Sequence, residues 1–157
     1  MTSYSQNKVV VYTDGGAINN PGPAAIGVVI RQETRDKRQE TKLPVVSRKS
    51  LVEKRYSEYI GKATNNQAEY KALIFALKKL KALFGKKKTK NLEVKCHLDS
   101  KLLVEQLNGK FKIKEKDLRP LFLEVWNLKI DFGNVNFKYV PREKNKEADA
   151  LVKAELS

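Results

Sequence analysis

The chain has 157 residues, with 32 Lys and Arg against 18 Asp and Glu and a formal net charge of +14. This length suits one domain able to bury its own core, and the single cysteine, Cys96, excludes an intramolecular disulfide and a cysteine-based zinc site. No stretch approaches the roughly 20 apolar residues of a membrane span, and the N-terminal MTSYSQNK lacks the apolar run of a signal peptide, so a soluble cytoplasmic protein is expected. The charge favours a polyanion such as nucleic acid as partner, against the plainer alternative of a solubilising, heat-adapted surface.

In chain order, residues 1–7 read as a flexible N-terminus and 8–157 as one domain. Residues 8–13 (KVVVYT) predict a buried strand, broken by Asp14-Gly15-Gly16 and the turn-forming INNPGP. AAIGVVIRQ predicts a second strand. Residues 33–55, polar and irregular around Pro44, predict a long hairpin excursion, and RYSEYI a third strand. From Thr64 the apolar residues Tyr70, Leu73, Ile74, Leu77, Leu80 and Phe84 share one helical face, and Gly85 is expected to end that helix before a basic loop, KKKTKN. NLEVKCHL alternates as a fourth strand with Leu92, Val94, Cys96 and Leu98 on one face. Ser100 is placed to cap a short helix through Leu107, stopped by Gly109. KFKIKEKD follows, then a helix carrying Leu118, Leu121, Phe122, Val125 and Leu128 with Pro120 in its first turn. VNFKYV predicts the last strand, and Asn145 the start of a C-terminal helix. The order β, β, β, α, β, α, α, β, α predicts an α/β domain with a mixed sheet.

Against this basic background, Asp14, Glu69, Asp99 and Asp149 each stand at the end or mouth of a different element. Each has a local explanation. Asp14 suits an Asx-turn, Glu69 a capping-box partnership with Asn66, and Asp99 a cap beside Ser100. Asp149 is the hardest to explain locally, since Asp is a poor helix former and this one adjoins an apolar stripe between Ala148 and Ala150. Taken jointly, two strand ends and two helix first turns can converge on one sheet edge. Carboxylates about 4 Å apart repel by about 4 kcal/mol at an effective dielectric near 20, so such a cluster must hold protons or divalent cations. Hard oxygen donors suit Mg²⁺ or Mn²⁺, and paired ions of that kind cut phosphodiesters.

The segments YTDGGAINNPGPAAIGVVI, TNNQAEYKALIFAL, LDSKLLVEQLNG and VPREKNKEADALVKAEL, in this order, resemble type 1 ribonuclease H from about Val9 to Leu156. The resemblance implies a five-stranded mixed sheet of order 3-2-1-4-5, strands 1–3 antiparallel, with helices on both faces. It implies that Asp14, Glu69, Asp99 and Asp149 are catalytic carboxylates holding two Mg²⁺, with Mn²⁺ as a possible substitute, helped by the backbone carbonyl of Gly15. One ion would lower the pKa of the attacking water and the other stabilise the leaving 3′ oxygen. The implied reaction is endonucleolytic hydrolysis of the RNA strand of an RNA/DNA hybrid, leaving 5′-phosphate and 3′-hydroxyl ends. The resemblance also places Asn20 and Glu69 on the RNA strand and Asn65 and Asn66 in the minor groove, with Thr64 and Lys62 at a DNA phosphate.

Two features depart from the pattern. Many relatives carry a histidine between the last strand and the last helix, but the only histidine here, His97, lies in the strand before Asp99 and is expected to be structural. Arg142, in the loop VPREKN, is expected to take over contact with the phosphate or the departing product. The long basic protrusion of some relatives is reduced to GKFKIKEKD, whose four lysines, with Lys86–Lys88, are expected to supply phosphate contacts. A free-standing monomer with no obligate protein partner is expected. Alternatives left open are a DNA-acting nuclease of the same superfamily and a non-catalytic nucleic-acid-binding module.

Overall fold

The computed structural model describes residues 8–35 and 49–157. The flexible N-terminus expected over 1–7 lies outside the described residues. Five strands form one sheet of order β3-β2-β1-β4-β5: β1 Lys8–Ala17, β2 Gly22–Arg35, β3 Lys49–Ala63, β4 Glu93–Leu98 and β5 Asn134–Tyr139. β1 to β3 pair antiparallel, whereas β4 joins β1, and β5 joins β4, in parallel. The expected strand order and mixed sense are those observed. Among the described residues there are four α-helices: α1 Asn65–Thr89, α2 Lys101–Leu107, α3 Arg119–Ile130 and α4 Lys146–Leu156.

Period-2 alternation decides which face each strand buries. Val9 and Val11 of β1, Val28 and Ile30 of β2, Val94, Cys96 and Leu98 of β4, and Val135 and Phe137 of β5 share one buried cluster. Leu73, Leu77 and Leu80 of α1, Leu103 and Leu107 of α2, and Val125 of α3 close that cluster from above. A short polar tie lies within it: the Tyr70 hydroxyl donates to Gln106 Oε1 at 2.7 Å, both residues being buried. α4 lies across the opposite face, where its buried Ala148 and Val152 meet the β1–β2 half of the sheet through Gly27 and Gly16.

Several expectations are corrected. β1 does not end at Asp14. It continues to Ala17 because the antiparallel ladder with β2 persists to Ala17↔Ala24, while the parallel ladder with β4 stops at Thr13↔Leu98. Asp14 therefore stands where two strands part. The excursion expected over 33–55 is strand at both ends, since β2 and β3 stay paired out to Arg35↔Lys49, and its middle, with Pro44, lies outside the described residues. Gly85 does break the helix, at φ 79°, but Lys86–Lys88 then form a further helical turn, not a loop. The Thr89 hydroxyl secures that turn by donating to the Gly85 carbonyl at 2.6 Å. Leu118 belongs to a 3₁₀ turn, Lys116–Leu118, that leads into α3.

No helix among the described residues is long and apolar enough to cross a membrane.

Candidate active site

Asp14 and Asp99 project from the point where β1 and β4 separate, the edge at which α/β sheets hold ligands. Glu69 reaches the same point from α1 because α1 starts hard against β1. Thr64 caps that helix: its hydroxyl accepts from Gln67 N–H at 3.1 Å while the Gln67 side chain accepts from Thr64 N–H at 2.8 Å. The capping box is therefore Thr64/Gln67, which removes the capping role considered for Glu69. Glu69 Oε1 instead accepts from the backbone N–H of Gly15 at 2.6 Å. One oxygen each from Asp14, Glu69 and Asp99 lie within 4.8 Å of one another.

Asp149 lines the same cavity, of about 450 Å³, and its carboxyl is close enough to Asp14 to hydrogen-bond with it. Lys153, one helical turn on, holds its carboxylate at 2.9 Å. Gly15, Asn65, Asn66 and Arg142 also line the cavity, whereas Asn20, Lys62 and Thr64 do not. Asn20 is on the β1–β2 turn, Lys62 at the end of β3 and Thr64 at the N-cap of α1. Asn65 Oδ1 accepts from Ala17 N–H and Asn20 Oδ1 from Asn65 N–H, both at 2.8 Å, so the two amides lace the turn to the start of α1. Asn66 Nδ2 donates to Glu115 at 3.2 Å, tying the loop after α2 to the same mouth. His97 does not line the cavity. It packs edge-on against Tyr12 at 4.8 Å, and burial, with Lys138 and Lys95 nearby, lowers its pKa.

The electrostatics are those of a cluster short of positive charge. Burial, then the Asp99 carboxylate, pushes the Asp14 carboxyl up to about 7. Burial, then the charges of Asp14 and Asp99, raises Glu69 well above the ordinary carboxylate range. Without cations the site therefore holds protons to higher pH than ordinary carboxylates do, and hard divalent ions would displace them. The donor set, carboxylate oxygens only, is the set that such ions take.

Sequence reasoning assigned Asn145 to starting α4, and its side chain does something else. It turns inward, buried, with Nδ2 donating to the Thr13 carbonyl at 2.8 Å and to Asp99 Oδ2 at 3.1 Å. One amide thus ties β1, the carboxylate after β4 and the first turn of α4 together. Asn145→Ala should leave a buried carbonyl unsatisfied, costing about 1–3 kcal/mol. It should also slow catalysis by freeing Asp99. Chemical denaturation and turnover measured side by side check this, and a variant unchanged in both would remove Asn145 from the account.

Comparison with known proteins points the same way. The model of the reverse transcriptase-like family matches residues 12–155. A bifunctional protein of Mycobacterium tuberculosis is 38% identical over 92% of this chain, which spans 34% of that relative's length. Ribonuclease HI of Halobacterium salinarum is 35% identical over 95% of this chain and 64% of its own. The chain thus spans about a third to two thirds of these relatives. Among solved structures, LC11-RNase H1 in complex with an RNA/DNA hybrid is 41% identical with a TM-score of 0.74, covering 95% of this chain and 99% of that one.

Proposed function

The chain belongs to the reverse transcriptase-like family, among the type 1 ribonucleases H, and from that premise we propose that it hydrolyses the RNA strand of RNA/DNA hybrids. The observation that carries the proposal is the convergence of Asp14, Glu69 and Asp99 within 4.8 Å at the mouth of a basic protein, with Asp149 in the same cavity. These carboxylates, with the Gly15 carbonyl, would hold two Mg²⁺, or Mn²⁺ in their place. Bound there, such ions would supply an activated water and would neutralise charge developing on the departing 3′ oxygen.

The residues have separable tasks in this reading. Glu69, held by Gly15 N–H, keeps one oxygen for the RNA side. Asn20, Asn65 and Asn66 present amide groups to sugar and base edges, which reads a hybrid without sequence demand. Thr64 and Lys62 take a DNA phosphate, and Lys110, Lys112, Lys114 and Lys116 add sequence-independent affinity that weakens with salt. The protein acts as a cytoplasmic monomer.

Arg142, exposed at the cavity rim, stands in for the loop histidine by holding the phosphate or product. Arg142→Ala should lower kcat by about 10²-fold, the lower end for loss of a group that assists proton or charge transfer. Single-turnover and steady-state rates compared on one hybrid test this, and undiminished turnover would refute the role. The reaction class is tested by mass spectrometry of the cut strand. 5′-phosphate and 3′-hydroxyl fragments are expected, and 2′,3′-cyclic phosphate ends would point to a metal-independent mechanism.

A further inference from the structure

The helix that delivers Asp149 has no side-chain cap. Asn145, at its N-cap position, spends its amide on Thr13 and Asp99, which pins the start of the helix to β1 and to Asp99 but leaves its first-turn N–H groups without a side-chain cap. A second group anchors the first turn from the side of β2 and β3. Glu147, two residues before Asp149, accepts from the guanidinium of Arg31 on β2 through one oxygen and from that of Arg55 on β3 through the other. Glu53 closes the ring by taking the Nε–H of both arginines, at 2.8 and 2.7 Å. The Arg31 guanidinium also lies 5.3 Å from the centroid of Tyr12, which precedes Asp14 on the same face of β1.

We propose that Glu147 is a positioning residue for Asp149: the Arg31–Glu53–Arg55–Glu147 ring sets the orientation of the first turn of α4, and with it where the fourth carboxylate meets the cations. The inference rests on the metal-dependent reading above. Three observations favour positioning over simple stabilisation. The ring's side chains are only partly buried, a setting in which ion pairs add little to folding stability. Both Glu147 oxygens are engaged by two different strands, which fixes direction as well as distance. Asp14, Glu69 and Asp99 come from β1, α1 and the end of β4, so Asp149 is the one of the four carboxylates that α4 delivers. Groups that orient metal ligands from behind typically change metal affinity or activity about 10–100-fold when lost.

The test uses the whole chain with Glu147→Gln and Glu147→Ala, and Ser57→Ala as the control, which frees the other end of α4 by removing the Ser57–Glu155 hydrogen bond. Two readouts are taken: the Mn²⁺-dependent rise in Tm without substrate, and kcat and KM on a hybrid across Mg²⁺ concentrations. The expected result is that both Glu147 variants need about tenfold more cation in each readout. kcat should fall while KM for the hybrid and the cation-free Tm stay close to the parent, and Ser57→Ala should behave as the parent. In an Asp149→Asn background, Glu147→Gln should add nothing to the loss of Mn²⁺ response, because the two act as one unit.

An unshifted cation dependence in the Glu147 variants would overturn the proposal. So would an equal shift in Ser57→Ala, or a full additional loss in the Asp149→Asn background. A parent protein with no cation response at all would instead overturn the metal-dependent reading, and the proposal with it.

Discussion

Asp14→Asn is expected to abolish hydrolysis, by roughly 10³-fold or more as for a member of an interdependent catalytic unit, while leaving the cation-free protein as stable as the parent or more so. Both halves come from the same electrostatics. Asp14 is buried among carboxylates, and its pKa rises from the ordinary 3.8 to about 7, through burial first and the Asp99 charge second. Below 3.8 the carboxyl is protonated in both the folded and the unfolded chain. Between 3.8 and about 7 the folded chain retains a proton that the unfolded chain has released, so stability falls as pH rises. The limiting slope for one such group is about 1.4 kcal/mol per pH unit. Above about 7 the loss from this group is complete.

Asn has no proton to lose there. The variant's stability should therefore be flatter than the parent's across that window and higher at its upper end, and Mg²⁺ should raise the Tm of the parent far more than that of the variant. Thermal melts at several pH values, with and without Mg²⁺, read all of this. A clear drop in the variant's Tm near pH 7 would make Asp14 a structural residue.

Gly15→Ala should be nearly as damaging for a different reason. A Cβ at that position would stand 2.3 Å from the Ala68 carbonyl carbon and oxygen and 2.6 Å from Glu69 N, all backbone atoms that cannot rotate away. The start of α1 must then move off β1, which breaks the Gly15 N–H···Glu69 hydrogen bond and displaces one carboxylate from the cluster. Overpacking of this kind costs about 1–3 kcal/mol, occasionally more. A displacement near 1 Å in a reacting group costs about 10²-fold in rate. Gly16→Ala is the matched comparison, since its Cβ would meet only the Val152 side chain, at an ordinary 3.4 Å. Denaturation midpoints and turnover for the two variants decide the matter. Equal behaviour would mean that the close approach of β1 and α1 does not matter to the site.

Much of this arrangement was legible in the sequence because it is encoded locally. The alternation Leu92-Val94-Cys96-Leu98 fixes the face of β4, and the Ser100 hydroxyl does accept from Leu103 N–H at 3.3 Å to begin α2. The same local signals placed Asp14 and Asp99 near strand ends, because each is followed by turn or cap residues. What sequence reasoning missed depends on partners far along the chain. β1 outlasts the Asp14-Gly15-Gly16 signal because Ala24 and Ala25 of β2 hold it by ladder pairing, which overrides the tendency of two glycines to turn. Asn145 looks like an ordinary helix start, and only the fold brings the Thr13 carbonyl, 132 positions away, within its reach. Glu147 and Arg31 are separated by 116 positions, and no periodicity could have paired them. The Asp149–Lys153 pair, at i,i+4 spacing, was visible in principle as a helix-surface pattern.

The central claim is that the carboxylate cluster makes this basic domain a metal-dependent nuclease for hybrids. It is tested most directly by cleavage of an RNA/DNA hybrid, with each strand labelled in turn, beside matched duplex DNA and duplex RNA in Mg²⁺, Mn²⁺ or EDTA. The account predicts internal cuts in the RNA strand of the hybrid, none in its DNA strand or in duplex DNA, and none in any substrate with EDTA. Tight binding of the hybrid without cutting in either metal, or cutting of duplex DNA, would contradict it.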